Sequence, residues 1–113
     1  MISLSTHVLD TAHGRPASGV RVVLSDARGN VLFAGETNAD GRCPGLPALP
    51  AGRYRLCFAV AAYFRAAGVA LADPPFIDEV AVDFGMAAQP EGGGHYHVPL
   101  LVSPYGYSTY RGS

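Results

Sequence analysis

Glycine or proline interrupts this chain every few residues, and the apolar runs between are only long enough for strands. The 14 glycines and 9 prolines leave room for one short helix at most, so the pattern predicts an all-β sandwich or barrel rather than a helical bundle. Residues 2–9 alternate cleanly: Ile2, Leu4, Thr6 and Val8 share one face, and Ser3, Ser5 and His7 the other. Residues 19–25 and 31–37 read as a hairpin around Asp26-Ala27-Arg28-Gly29-Asn30. Residues 38–41 form a turn, and residues 53–60 a strand with Tyr54, Leu56 and Phe58 inward. Residues 61–67 are alanine-rich and stop at Gly68, which predicts the single helix. Further strands are expected at 76–84, 95–102 and 105–110, with a loop at 85–94. No repeat or linker divides the 113 residues, so residues 1–113 read as a single domain.

Hydrophobic residues make up 49% and charged residues 15%, which is enough apolar material for a packed core. The net charge is −1, which argues against electrostatic capture of nucleic acid. All eight basic residues are arginine, so a lysine Schiff base is excluded. Cys43 and Cys57 cannot staple a disulfide scaffold and read as separate thiols, Cys57 as a small buried hydrophobe. No apolar run approaches the length of a membrane span or an export signal, so a cytoplasmic protein is expected.

The chemistry-bearing residues cluster by face. His95 and His97 are one residue apart on a strand and point the same way, with Tyr96, Val98 and Leu100 opposite. His7 occupies the polar face of the first strand. Three converging imidazoles could move protons near neutral pH. His-x-His with a distant third histidine is equally the ligand pattern of a catalytic zinc site, and spacing alone leaves both open. His13 falls in a turn and reads as solvated. Asp78 and Glu79 are adjacent on a strand and therefore face apart. The segment Tyr105-Gly106-Tyr107-Ser108-Thr109-Tyr110 is aromatic and uncharged. As a bare edge it would invite aggregation, so burial between subunits is expected.

Taken together, Leu4-Ser5-Thr6-His7-Val8-Leu9-Asp10-Thr11, Asp40-Gly41-Arg42, His95-Tyr96-His97-Val98-Pro99-Leu100-Leu101 and the tail Tyr107-Ser108-Thr109-Tyr110-Arg111-Gly112-Ser113 resemble the signatures of the 5-hydroxyisourate hydrolases. These are the transthyretin-related proteins of purine catabolism. The resemblance spans essentially the whole chain. Its most specific element is the Tyr-Arg-Gly-Ser end, which separates these hydrolases from the hormone carrier transthyretin.

That resemblance implies a transthyretin-like sandwich of two four-stranded antiparallel sheets with one short helix. It implies a homotetramer, a dimer of dimers with sites at the dimer–dimer interface, and no cofactor or metal. The residues it implies for the site are His7, Arg42 and His97 as catalytic groups. His7, Arg42, Tyr110, Arg111, Gly112 and Ser113 would bind substrate, and His95 would support them. In the implied reaction, water attacks the lactam carbonyl of 5-hydroxyisourate and opens its six-membered ring. A neutral histidine removes the water's proton and arginine steadies the oxyanion. Three other readings share the fold or the histidines: a small-ligand carrier, a zinc hydrolase using His7, His95 and His97, and a sandwich without chemistry.

Overall fold

The alternation in the first strand fixes the layering of the whole molecule. A computed structural model describes residues 1–113. β1 (Ser3–Asp10) buries Leu4, Thr6, Val8 and Asp10 and turns Ser3, Ser5, His7 and Leu9 away from the core. The remaining elements are β2 (Arg15–Pro16), β3 (Arg21–Asp26), β4 (Val31–Glu36), β5 (Gly52–Ala59), α1 (Val60–Ala66), β6 (Glu79–Met86), β7 (His95–Ser103) and β8 (Gly106–Thr109). They form two four-stranded sheets ordered β2-β1-β7-β8 and β4-β3-β5-β6. Leu4, Val8, Leu100 and Val102 of the first sheet meet Val22, Leu24, Leu56, Phe58 and Val80 of the second. Each fully buried side chain of this kind contributes about 1.5–3 kcal/mol. This is the expected all-β sandwich with one short helix.

One pairing departs from an all-antiparallel arrangement: β1 and β7 run parallel, in register from Ser3↔His95 to Asp10↔Val102. Parallel neighbours need a long connection. Here that connection is the entire second sheet with α1. Every other ladder is antiparallel.

Several elements differ from the sequence reading. β2 is too short to show a period and arises inside residues 11–16, the turn that holds His13. β6 starts at Glu79 rather than residue 76, because the carbonyl of Asp78 accepts from the Ala61 amide at the start of α1. The helix stops at Gly68, where φ is +86° and the Gly68 amide bonds the Arg65 carbonyl at 3.0 Å. No helix is long and apolar enough to cross a membrane.

His13 is not simply solvated. Its backbone amide donates to Asp10 Oδ1 at 2.9 Å and its Nδ1 lies 2.6 Å from Oδ2. The Tyr63 hydroxyl of α1 donates to the same Oδ2 at 2.7 Å. Burial alone would raise the pKa of Asp10, but the Tyr63 and His13 bonds outweigh it and hold the carboxyl below its ordinary value. Cys57 is likewise not an inward hydrophobe. It lies on the outer face, where its thiol donates to Glu79 Oε1 at 3.1 Å. Burial, then the Glu79 bond and charge, push that thiol up to about 11. Cys43 is the buried one, and both thiols are free. β8 is an edge strand with every residue exposed. Tyr107 is 51% and Tyr110 59% exposed, so the rest of a single chain does not cover the aromatic tail.

Candidate active site

The parallel register of β1 and β7 gathers two serines and three histidines on one outer face. Ser3 lies opposite His95, Ser5 opposite His97, and His7 opposite Pro99. A continuous run of short hydrogen bonds follows. Ser3 Oγ lies 2.5 Å from His95 Nδ1, Ser5 Oγ 2.8 Å from His95 Nε2, and Ser5 Oγ 2.7 Å from His97 Nδ1. Ser3 Oγ also reaches the Gly94 carbonyl at 3.2 Å. Ser3 and Ser5 were visible in the alternation, but only the register shows what they touch.

Arg42 comes to this face on a turn from the other sheet. Asn38 Oδ1 accepts from the amides of Asp40 at 3.0 Å and Arg42 at 3.1 Å, and the Asn38 amide donates to the Arg42 carbonyl at 2.7 Å. The turn then docks on β1: the Val8 amide donates to the Gly41 carbonyl at 2.8 Å, and His7 and Arg42 form an isolated bridge. Gly41 has φ +75°. A Cβ there would lie 2.5 Å from the Val8 carbonyl and 3.2 Å from His7 Cδ2, so both conformation and close approach require glycine. The Arg42 side chain is exposed and has no carboxylate partner.

The C-terminal tail reaches the face from the other side. Thr109 Oγ1 donates to the Pro99 carbonyl at 2.8 Å, and the Gly112 amide donates to the His97 carbonyl at 2.8 Å. A Cβ on Gly112 would collide with the His97 ring. Tyr110 and Ser113 flank this contact and are exposed. Arg111 points elsewhere. Its guanidinium lies 3.9 Å over the ring of Tyr96, which faces the core side of β7. The Tyr96 hydroxyl in turn accepts from the Ala87 amide at 3.0 Å.

His97 is half-buried and its pKa is lowered. Desolvation is the largest cause, followed by the charges of Arg42, His7 and His95. The three sequence segments carrying His7, Arg42 and His97 are therefore close enough to act on one imidazole. No three His, Cys, Asp or Glu side chains lie together in a way that could hold a metal ion, so the three-histidine ligand set does not form in the single chain. A cleft of about 570 Å³ lies on the outer face of the second sheet beside Arg28, Arg53 and Arg55. It is remote from this chemistry, and the histidine face itself is an open sheet surface.

Comparison with known proteins gives a consistent result. The HIUase/Transthyretin family matches residues 4–112. A relative from Ralstonia nicotianae, a 5-hydroxyisourate hydrolase, is 53% identical, covering 97% of each chain. The Klebsiella pneumoniae 5-hydroxyisourate hydrolase structure superposes with a TM-score of 0.83 at 41% identity, covering all of both chains. (S)-allantoin synthase gives 0.86 at 40% identity, covering 99% of this chain and 44% of the synthase. Sea bream transthyretin bound to thyroxine gives 0.83 at 31% identity, covering 96% of this chain and 93% of that one. With the fold, the histidine face and these matches in agreement, the chain belongs to the HIUase/Transthyretin family.

Proposed function

We propose that this protein hydrolyses 5-hydroxyisourate to 2-oxo-4-hydroxy-4-carboxy-5-ureidoimidazoline in urate breakdown, without a metal. The observation that carries this reading is the pair of backbone bridges, His7↔Arg42 and His97↔Gly112. They bring an unpaired arginine and the tail to either side of a histidine whose pKa is lowered by burial and by its charged neighbours, which favours the neutral base. The names of the close relatives supply the substrate. His97 takes the proton of the attacking water at Nε2. The water oxygen bonds to the lactam carbonyl carbon and Arg42 holds the oxyanion. The ring C–N bond then breaks, its nitrogen takes a proton, and a carboxylate remains. His7 binds the substrate beside Arg42. Tyr110, Gly112 and Ser113 line the site, while Arg111 acts through Tyr96.

An open sheet face does not exclude water. The exposed tyrosines in and beside β8, Tyr105, Tyr107 and Tyr110, and the histidine face suit burial between copies, so a homotetramer, built as a dimer of dimers, completes the site. Two free cysteines suit a reducing, cytoplasmic setting. The likeness to transthyretin favours one rival, a small-ligand carrier. Urate oxidase generating 5-hydroxyisourate in place tests both. Ultraviolet decay faster than the spontaneous rate, surviving a chelator and falling on the order of 10²-fold in His97→Asn, supports the hydrolase. Decay at the spontaneous rate supports the carrier.

A further inference from the structure

Two hydroxyls on the histidine face, Ser3 Oγ and Ser5 Oγ, do no bond-making in the hydrolysis, yet they account for every protein contact of the His95 and His97 ring nitrogens. We propose that Ser5 and His95 are positioning residues, which hold the His97 imidazole in its Nδ1–H tautomer and so leave the Nε2 lone pair facing the site. This rests on His97 being the general base of the proposed reaction.

The direction of the chain follows from counting protons. A hydroxyl has one proton to donate, a neutral imidazole has one N–H and one lone pair, and a backbone carbonyl can only accept. The chain ends on such a carbonyl, that of Gly94, 3.2 Å from Ser3 Oγ. If Ser3 donates there, its oxygen must accept from His95, so His95 carries its proton on Nδ1, 2.5 Å away. His95 Nε2 is then a bare acceptor and takes the Ser5 proton at 2.8 Å. Ser5 has nothing left to donate, so its 2.7 Å contact with His97 Nδ1 is a hydrogen bond only if that nitrogen carries the proton. His97 Nε2 is left unprotonated and has no protein partner.

The opposite direction begins with Ser3 donating to His95 and ends with a proton on His97 Nε2. It satisfies three of the four contacts and abandons the one to Gly94. It also leaves the site-facing nitrogen unable to accept. A free histidine prefers Nε2–H, so the first direction inverts the ordinary preference and leaves a spectroscopic mark. It also suits the reaction. When His97 Nε2 takes the water's proton, the imidazolium still donates Nδ1–H to Ser5, and no group has to turn over.

The test is side-chain 1H–15N correlation spectroscopy on uniformly 15N-labelled full-length protein, above the imidazole titration range, with His97 assigned by its loss in His97→Asn. The expected result is a protonated Nδ1 and a bare Nε2 at His97. Ser5→Ala should return His97 toward Nε2–H and lower kcat by about tenfold with little change in KM. Ser5→Thr keeps a hydroxyl on a strand residue and should restore both tautomer and rate. Nε2–H at His97 in the native protein, or a tautomer indifferent to Ser5→Ala, overturns the proposal whatever the rate. Normal turnover by His97→Asn alongside an Nδ1–H signal in the native protein overturns the assignment of the base, while the polarity of the chain stands.

Discussion

Asp10→Asn isolates the value of one buried charge, because the two side chains have nearly the same shape. Asp10 is 1% exposed. It receives the Tyr63 hydroxyl at 2.7 Å, His13 Nδ1 at 2.6 Å and the His13 amide at 2.9 Å. Asparagine keeps an oxygen for the amide and presents an NH₂ group, to which Tyr63 and His13 can turn acceptor. What is lost is charge assistance on two side-chain bonds. A bond to a charged group is worth roughly 1 kcal/mol more than a neutral one, so the cost is about 2 kcal/mol. For a domain of this size that lowers the unfolding midpoint by about 8 °C. The sign of the pH dependence is fixed. The folded pKa of Asp10 lies below its unfolded value, so the stabilisation is complete above the ordinary carboxylate range. It is lost as pH falls through the folded pKa. Thermal unfolding of both proteins at one protein concentration, from pH 7 down to pH 3, should show a gap that is present at pH 7 and is lost as the Asp10 carboxylate protonates at the acid end. Equal midpoints at pH 7, or a gap that persists once the carboxyl is protonated, would refute the reasoning. Turnover at moderate temperature should be nearly normal, since Asp10 lies on the buried face of β1, away from His7, His95 and His97.

Arg42→Gln should move the acid limb of kcat/KM to higher pH, because removing a neighbouring positive charge lets the lowered pKa of His97 rise. At pH 8, where His97 is neutral either way, a residual loss on the order of 10²-fold should remain from the oxyanion. An unmoved acid limb would mean that the Arg42 charge has no part in the lowering, leaving desolvation and the other two histidines to account for it. Deleting residues 111–113 should cut kcat/KM sharply while costing only about 1–2 kcal/mol of stability, the worth of one cation–π contact and one hydrogen bond. Normal turnover would demote the tail to an interface element. Tyr96→Leu should raise KM by freeing Arg111, and Tyr96→Phe, which keeps the ring, should not; equal effects would assign the role to the hydroxyl and Ala87. If copies complete the site, specific activity should fall on dilution in step with the tetramer measured by light scattering. Full activity in a dilute monomer would show the single face to be sufficient.

Alternation read the faces of β1, β5 and β7 correctly from sequence, and with them the grouping of His7, His95 and His97 on polar sides. Carried one residue further, it would have found Asp10 on the core face with Thr6 and Val8, where a carboxylate must have donors. The same rule that turned Tyr54, Leu56 and Phe58 inward also turned Cys57 outward, so its reading as a buried hydrophobe ran against its own period. Other features had no local signal. The parallel pairing of β1 with β7 joins residues more than 90 positions apart, and only the closed sheet brings Ser5 between two imidazoles. β2 is two residues long. Arg111 lies beyond the last strand, where alternation no longer says which way a side chain points.

The two segments that complete the histidine face meet it by the same physical device. Neither the turn of residues 38–42 nor the tail is held by a side chain on the histidines. Each docks through backbone hydrogen bonds, Val8 to Gly41 and Gly112 to His97, and each presents a glycine to an imidazole. The missing Cβ matters differently at the two positions. At Gly41 the backbone is left-handed and the close neighbour is a carbonyl oxygen, so a side chain is excluded by conformation and by backbone alike. At Gly112 φ is not positive, and the obstacle is the His97 ring alone. A side chain at 112 would therefore displace either the tail or the ring that carries the base. The glycine of the Tyr-Arg-Gly-Ser end is thus explained by packing, with no need for it to touch substrate. Arg111 stacked on Tyr96 and Thr109 bonded to Pro99 hold the chain on either side of that approach, which leaves Tyr110 and Ser113 as the tail side chains free to meet a ligand.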